Sequence, residues 1–247
     1  MNISDDDNMK KWITKKNSII YQILKGRSNS FLISSGNQFI IVDTGPQKSW
    51  EKLKRNIDNL VGENQISCLI LTHTHYDHSE NAAELKKSYN TPIIVHQNEA
   101  EYLNRGDSPL PKGSTNIMKF LMNLLGKKFN SKVKIPPASY DIMVDEKYDL
   151  SSYGFNGYIL HTPGHSPGSM SIIIDDEIAI VGDSMFGVFY WSVYPPFADD
   201  IELMANSWKK ILNTGCSRFL PGHGSENSRE LLQKQYEKEF IKFNGDY

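Results

Sequence analysis

Hydrophobic positions along this chain follow two different periods. Short apolar runs, typical of buried strands, alternate with segments in which apolar residues recur every three or four positions, as on one face of a helix. Strands are predicted at residues 18–24, 30–34, 38–42, 67–71, 92–95, 139–144, 155–160, 170–174, 177–181 and 218–220, and helices at 49–60, 81–89, 98–103, 201–212 and 225–243. The pattern therefore predicts a mixed α/β protein.

One segment, residues 105–137, interrupts this alternation. It is rich in proline at both ends, and residues 116–127 between them have apolar positions spaced for one face of an amphipathic helix. We interpret the segment as an insertion in a single domain that spans residues 1–247, since this length fits one large domain. Packing on the core, a lid over an active site and a dimer contact are three alternatives for its role.

Composition and charge limit the function classes. The net charge of −2 supplies no basic surface, which disfavours a nucleic-acid enzyme. Cys68 and Cys216 lie in apolar runs and are expected to be buried free thiols. We expect no membrane association and a cytoplasmic protein, because no apolar run is long enough to cross a bilayer and the first sixteen residues lack an apolar stretch.

Four potential metal ligands follow the apolar run 68–71 directly. They are His73, His75, Asp77 and His78. The first two histidines are two positions apart, so in an extended segment they project to the same side. The adjacent Asp77 and His78 can diverge toward a second point, an arrangement that suits two metal ions a few ångströms apart.

Three later segments place a histidine or aspartate after a short apolar run and beside glycine or proline. They contain His165, Asp183 and His223. This is the local chemistry of a strand that ends in a tight loop. These segments can supply the ligands that a complete two-metal site still needs.

The ordered motifs H-x-H-x-D-H, G-H, G-D and G-H-G resemble those of the metallo-β-lactamase superfamily, and together with Asp43 they span residues 43–223. The resemblance implies a four-layer αββα sandwich. It implies that His73, His75 and His165 bind a first metal, that Asp77, His78 and His223 bind a second, and that Asp183 bridges the two. Asp43 would hydrogen-bond a ligand histidine. His96 and His161 fall outside the pattern and are expected to be structural.

The resemblance also implies two divalent ions as cofactors, with zinc expected and iron or manganese as alternatives. A hydroxide bridging both ions would attack a carbonyl, with Asp77 orienting it. Thiolate and alkoxide leaving groups can bind a metal directly, which favours a thioester or lactone as the small-molecule substrate. An iron-dependent persulfide dioxygenase and a phosphodiester hydrolase are the alternatives. The intact ligand set argues against a non-catalytic domain.

Differences from individual branches of the superfamily indicate which branch the chain resembles most. Asp183 argues against an antibiotic hydrolase, since the zinc β-lactamases lack this bridging aspartate. Only 24 residues follow His223, too few for the glutathione-binding domain of glyoxalase II proper. The chain therefore resembles a stand-alone member of the glyoxalase II and lactonase branches, with a homodimer left open.

An aromatic-rich segment, residues 186–197, comes directly after Asp183. It is either a loop packed over the core or the wall of an apolar substrate pocket. In the second case, Tyr190 and Tyr194 are candidate catalytic residues whose hydroxyl groups would stabilise an oxyanion.

Overall fold

The computed structural model describes residues 9–110, 113–114 and 132–244. Its centre is a pair of β-sheets. The seven-stranded sheet contains, in spatial order, β1 (Lys11–Ile13), β2 (Ile19–Leu24), β3 (Ser30–Ser35), β4 (Gln38–Val42), β5 (Ile66–Ile70), β6 (Ile93–His96) and β9 (Ile142–Val144). Strands β1 to β4 are antiparallel, whereas β4, β5, β6 and β9 run parallel.

The second sheet has six strands. In spatial order they are β10 (Lys147–Asp149), β11 (Gly157–His161), β12 (Met170–Ile174), β13 (Ile178–Gly182), β14 (Arg218–Pro221) and β15 (Asn227–Ser228). Only β13 and β14 pair in parallel. Apolar side chains from the inner faces of both sheets form one buried cluster, with Ile33 and Ile40 from the first sheet and Ile172 and Ile180 from the second. Burying each contributes about 1.5–3 kcal/mol to the stability.

Helices cover the two outer faces of the sheets. The described helices are α1 (Trp50–Val61), α2 (Tyr76–Ser79), α3 (Ala82–Tyr89), α4 (Gln97–Arg105), α5 (Ile201–Leu212) and α6 (Arg229–Asn244), with short 3-10 turns at Gln47–Ser49 and Ser151–Tyr153. Leucines of α1, α3 and α4 pack on the seven-stranded sheet, and Trp208 of α5 packs on the other. The layers are therefore α, β, β and α, which confirms the predicted four-layer sandwich.

The ends of the elements differ from the sequence prediction in a few places. Residues 227–228, predicted as part of the last helix, instead form β15 and pair with β14, so α6 begins only at Arg229. The prediction also omitted β1, β10 and α2, as well as two short strands within residues 105–137. Each of these has three or four residues, too few to display a hydrophobic period.

The base of the predicted insertion is described, whereas its amphipathic helix at 116–127 lies outside the described residues. Strand β7 (Asp107–Pro109) pairs with β8 (Lys132–Lys134). Between them, the amide of Ser114 donates to the carbonyl of Pro196 (3.0 Å) and its hydroxyl donates to that of Pro195 (2.8 Å). The insertion is therefore joined to the aromatic segment that follows Asp183.

Both cysteines are buried free thiols, as expected. Burial raises the pKa of Cys68 to about 12 and that of Cys216 to about 11, so neither is a thiolate near neutral pH. Across the described part of the chain, no helix combines the length and the apolar character that spanning a membrane requires.

Candidate metal centre

Strands from both sheets end at one edge of the sandwich, and the loops that follow them meet there. Strands β4, β5 and β6 are parallel, so their carboxyl ends share an edge of the first sheet. In the second sheet, β13 and β14 are parallel, and β11 runs in the same direction because two antiparallel pairings separate it from β13. Loops far apart in sequence thus converge, as the motifs predicted.

The first group of ligands contains His73, His75 and His165, whose ligand atoms lie within 4.8 Å of one another. Nδ1 of His75 lies 2.9 Å from Nε2 of His165. All three residues are buried. The H-x-H spacing and the loop after β11 therefore bring three imidazoles to one point.

The second group contains Asp77, His78 and His223 and is more open. Nε2 of His223 lies 3.6 Å from Oδ2 of Asp77 and 3.4 Å from Nε2 of His78. His78 is fully buried, whereas Asp77 and His223 face a cavity.

Asp183 lies between the two groups. Its Oδ2 atom is 3.5 Å from Nε2 of His165 and 3.2 Å from Nε2 of His223, while Oδ1 is 3.4 Å from Nε2 of His78. A Cβ atom at Gly222 would lie only 2.3 Å from Oδ1 of Asp183. The G-H-G motif therefore needs glycine before His223 so that this backbone can approach the carboxylate.

These residues fit divalent cations. Nitrogen ligands of a tetrahedral zinc at about 2.0–2.1 Å are separated by roughly 3.3–3.5 Å, close to the separations found here. Buried atoms Nε2 of His73 and Oδ1 of Asp183 lack a hydrogen-bond partner within the described chain. Such orphaned atoms are costly without a compensating ligand. The donor set is all nitrogen and oxygen, which zinc, iron and manganese accept.

The protonation of the first group agrees with this fit. Burial, together with the neighbouring imidazoles, holds the pKa of His73 and His75 well below its usual value. Both are therefore neutral at pH 7, the form that binds metal. Burial opposes ionisation of Asp183, but His223 and His78 outweigh it and lower the pKa of this carboxyl. Asp183 is thus a carboxylate.

In the second group, burial is outweighed by neighbouring carboxylates. Asp183 and Asp43 raise the pKa of His78, and Asp183 raises that of His223. A metal must therefore displace protons from these two rings.

Asp43 orients histidines of both groups. Its Oδ2 atom accepts a hydrogen bond from Nδ1 of His78 (2.8 Å), so Nε2 of this ring faces Asp183. The same oxygen accepts from the hydroxyl of Thr72 (2.8 Å), which lies 3.0 Å from Nδ1 of His73. The structure therefore places Asp43 in contact with a predicted ligand histidine, at the position where an outer partner fixes the tautomer.

Glu99, which the sequence analysis did not single out, ties two ligand loops together. This fully buried carboxylate accepts from the amide (2.7 Å) and hydroxyl (2.5 Å) of Thr74, between His73 and His75. It also accepts from the hydroxyl of Ser166 and the amide of Gly168 (3.2 Å), beside His165. No sequence pattern marks Glu99, since it meets these loops only through the fold.

A cavity of about 400 Å³ opens onto the metal centre. Its apolar walls are Leu110, Phe186 and Phe197, and Arg27 and Tyr76 line it as well. Phe186 stacks on the His223 ring at 4.5 Å, and the carbonyl of Phe197 accepts from Nδ1 of His165 (2.9 Å). The aromatic segment therefore contributes the apolar wall through its first and last residues.

The two tyrosines predicted as oxyanion donors lie elsewhere. Tyr190 is 88% exposed and contacts Trp191 edge to face. Tyr194 packs against Trp208 of α5, with ring centres 5.8 Å apart. Neither is among the described residues that line the cavity. Phe186 and Phe197, at the two ends of the segment, line the cavity, whereas the described lining includes none of the residues between them.

His96 and His161 lie apart from the ligand groups and stack on each other at 3.9 Å. Nδ1 of His96 accepts from the amide of Asn98 at the start of α4, and Nε2 of His161 donates to the carbonyl of Pro167. Burial, with His161 nearby, lowers the pKa of His96 to about 4. Both contacts are structural, as expected.

Comparisons with known proteins agree with this geometry. The family model of the metallo-beta-lactamase superfamily matches residues 24–223. A probable metallo-hydrolase of Methanocaldococcus jannaschii, MJ0888, is 32% identical over 223 residues, which cover 87% of this chain and 95% of that protein. Atrochrysone carboxyl ACP thioesterase of Aspergillus fumigatus is 25% identical over 217 residues, which cover 85% of this chain and 56% of that protein.

The fold is also similar to solved structures. TTHA1623 in a di-iron-bound form superimposes with a TM-score of 0.58 and 23% identity, covering 84% of this chain and 93% of that one. The family match extends from β2 to His223 and so includes every loop of the metal centre. On these grounds, the chain belongs to the metallo-beta-lactamase superfamily of metallo-hydrolases.

Proposed function

We propose that this chain is a binuclear metal-dependent hydrolase of thioesters or lactones. The observation that carries the proposal is the position of Asp183, whose two oxygens lie 3.2–3.5 Å from histidine nitrogens of both groups. A single-ion site would need only one of these groups. Two groups that share a buried carboxylate are the arrangement expected for a pair of ions.

Each group then has a defined ligand role. The first ion would be held by His73, His75 and His165, the second by Asp77, His78 and His223, and both by Asp183. Divalent ions at these positions supply an activated water at neutral pH and an electrophile for the carbonyl oxygen. Zinc is the proposed metal, with iron or manganese as alternatives that the same ligands accept.

The remaining chemistry falls to residues of the chain. Asp77 faces the cavity, so its carboxylate can accept a hydrogen bond from the attacking water and orient it. Phe186 and Phe197 provide an apolar surface for an acyl or thiol group and exclude bulk water.

The leaving group selects among carbonyl substrates. An amide nitrogen needs a proton donor as it departs, whereas a thiolate or alkoxide does not. The similarity to a fungal thioesterase supports the same choice. Thioesters and lactones are therefore the proposed substrates.

Turnover of a substrate panel tests this proposal. Metal-loaded protein is assayed with thioesters, lactones and phosphodiesters, and again after treatment with a chelator. We expect hydrolysis of a thioester or lactone that is lost with the metal and restored by zinc. Hydrolysis confined to phosphodiesters, or oxygen uptake with glutathione persulfide in the absence of hydrolysis, would contradict the proposal.

A further inference from the structure

We propose that Arg27 and Tyr76 form a subsite for a carboxylate of the substrate at the mouth of the metal centre. The inference rests on the proposed function, since it specifies the charge of the thioester that the hydrolase would prefer. Neither residue belongs to the predicted ligand set, although Tyr76 lies between two members of it.

Tyr76 holds the guanidinium of Arg27 in place without balancing its positive charge. The guanidinium lies 4.9 Å from the centre of the Tyr76 ring and donates a hydrogen bond to the Tyr76 hydroxyl. Within the described residues it forms no ion pair with a carboxylate. A guanidinium has five N–H donors arranged as a planar fork, so most of them are left for a bidentate contact with a carboxylate.

The two residues that follow Arg27 fix its loop to the loops of the metal centre. Ser28 donates its hydroxyl hydrogen to the carbonyl of Asp77. Asn29 donates through its backbone amide to Gly222 (2.7 Å) and through its side chain to Pro221 (2.9 Å) and Gly224 (3.0 Å). These contacts bracket His223, so Arg27 is held in register with loops of the second ligand group. A preorganised contact costs less entropy when the substrate binds.

The charge of the cavity favours an anion. The carboxylates among its described lining residues are Asp77 and Asp183, and Arg27 is the one lysine or arginine among them. Two divalent ions would carry four positive charges against the two carboxylates. The guanidinium therefore adds to a positive field, next to the apolar walls formed by Phe186 and Phe197. A substrate with an apolar thioester portion and a carboxylate at one end matches both features.

Matched pairs of thioesters test the subsite. Succinyl-N-acetylcysteamine is compared with its succinamoyl analogue, which replaces the acyl-side carboxylate by an amide. S-butyryl-3-mercaptopropionate is compared with its amide, which tests the thiol side. We expect kcat/KM to favour the acid of one pair by about tenfold, the size of one charge-assisted hydrogen bond. The pair that shows the preference locates the carboxylate.

Substitutions then assign the preference to Arg27. Arg27→Gln is expected to raise KM for the favoured acid about tenfold while changing the values for the matched amide less than about twofold. Tyr76→Phe retains the ring and removes the hydroxyl that orients Arg27, so it is expected to lose part of the preference, about threefold. Lys25→Gln removes an exposed cation from the same loop outside the cavity and is expected to retain the preference.

Two results would overturn the subsite. One is an equal kcat/KM for acid and amide in both pairs, and the other is an equal loss in Lys25→Gln and Arg27→Gln, which would show only a diffuse charge effect. If neither thioesters nor lactones are hydrolysed, the proposed function fails on its own, and if only lactones are hydrolysed, its thioester part fails. The subsite is then tested by calorimetry with the non-hydrolysable thioether analogues and metal-loaded protein. Tighter binding of one acid than of its amide, lost in Arg27→Gln, supports the subsite. Equal affinities of acid and amide exclude it.

Discussion

The two ligand groups of the metal centre contain similar side chains but differ in how they are held. In the first group, His73, His75 and His165 are buried. In the second, the side chains of His223 and Asp77 are 17% and 13% exposed. The two groups therefore have the same kinds of donor atom but differ in their exposure to solvent.

The two groups also differ in the residues that contact their ligands from outside the ligand set. Glu99 links the loops of the first group through four hydrogen bonds from Thr74, Ser166 and Gly168. In the second group, His223 stacks on Phe186 beside the cavity. The second group has outer contacts as well, since Asp43 accepts from His78 and Asn29 donates to the backbone on both sides of His223. The groups therefore differ mainly in the exposure of His223 and Asp77, and an exposed ligand exchanges its ion with solvent more readily. We therefore expect the first group to retain its ion longer, while ligands of both groups line the cavity that would admit the substrate.

The largest effect is expected where the two groups join. Asp183→Asn removes the charge that both groups share, so hydrolysis should fall at least about a thousandfold, since the electrostatic contribution of a metal is worth several kcal/mol. The measurement is kcat with metal content. Asp176→Asn is the matched control, because Asp176 is exposed at the opposite end of β13 and its φ of 54° is tolerated by asparagine. Full turnover in Asp183→Asn would contradict a shared ligand.

Asp43→Asn should affect both groups at once. Its amide nitrogen would compete for the position that accepts from Nδ1 of His78, and would favour the tautomer whose proton faces the metal site. Loss of such an outer partner costs about 10–100-fold in metal affinity, and we expect the upper end here because the contact is direct. Competition with a fluorescent chelator measures both sites. A loss of metal affinity at the site of His78 alone would show that the hydrogen bonds from His73 through Thr72 to Asp43 do not contribute to metal binding.

Glu99→Gln should affect the first group selectively. Glutamine presents two N–H donors to a position where four donors already point, so about 1–3 kcal/mol of stability should be lost. Metal affinity of the first group should fall about tenfold, the lower end for an outer partner, because Glu99 acts one residue away from each ligand. Thermal unfolding of metal-free protein and metal competition measure the two effects separately.

Glu101→Gln is the control for this change, since Glu101 lies on the exposed face of the same helix and pairs with Arg105. It should change neither quantity. Equal weakening of both metal sites in Glu99→Gln would remove the distinction between the two groups.

The smallest effects are expected for the two tyrosines of the aromatic segment. Tyr190→Phe and Tyr194→Phe should each change kcat less than about twofold, because neither residue is among the described residues that line the cavity and substitutions away from a site are usually near neutral. Kinetics on the best thioester or lactone provide the check. A tenfold loss in either variant would restore that residue as an oxyanion donor.

The ordered elements of the fold were largely predictable from sequence. Residues 38–42, 170–174 and 201–212 have the predicted bounds, because a mainly apolar run bounded by polar residues, or an amphipathic helix, marks its own ends in the sequence. Edge strands such as Lys11–Ile13 are short and half exposed, with only Trp12 buried, so no alternation marks them.

The residues of the candidate site also differ in how well the sequence predicts them. Its predicted ligands lie in motifs with fixed local spacing, and the structure brings all seven together. Glu99 and Arg27 reach the site only because the loops converge, and nothing in their neighbours along the chain indicates it. Tyr76 lies within the ligand motif, but the motif does not reveal its contact with Arg27. Tyr190 and Tyr194 show the converse, since they are near Asp183 in sequence but are not among the described residues that line the cavity.

The central claim is that two cations are held by two unequal groups that share Asp183. Its most direct test is elemental analysis of the purified protein during stepwise removal of metal by a chelator, with turnover followed in parallel. We predict about two equivalents per chain, of which one leaves first, with loss of activity, while the other is retained. Full activity with a single equivalent bound would contradict the account.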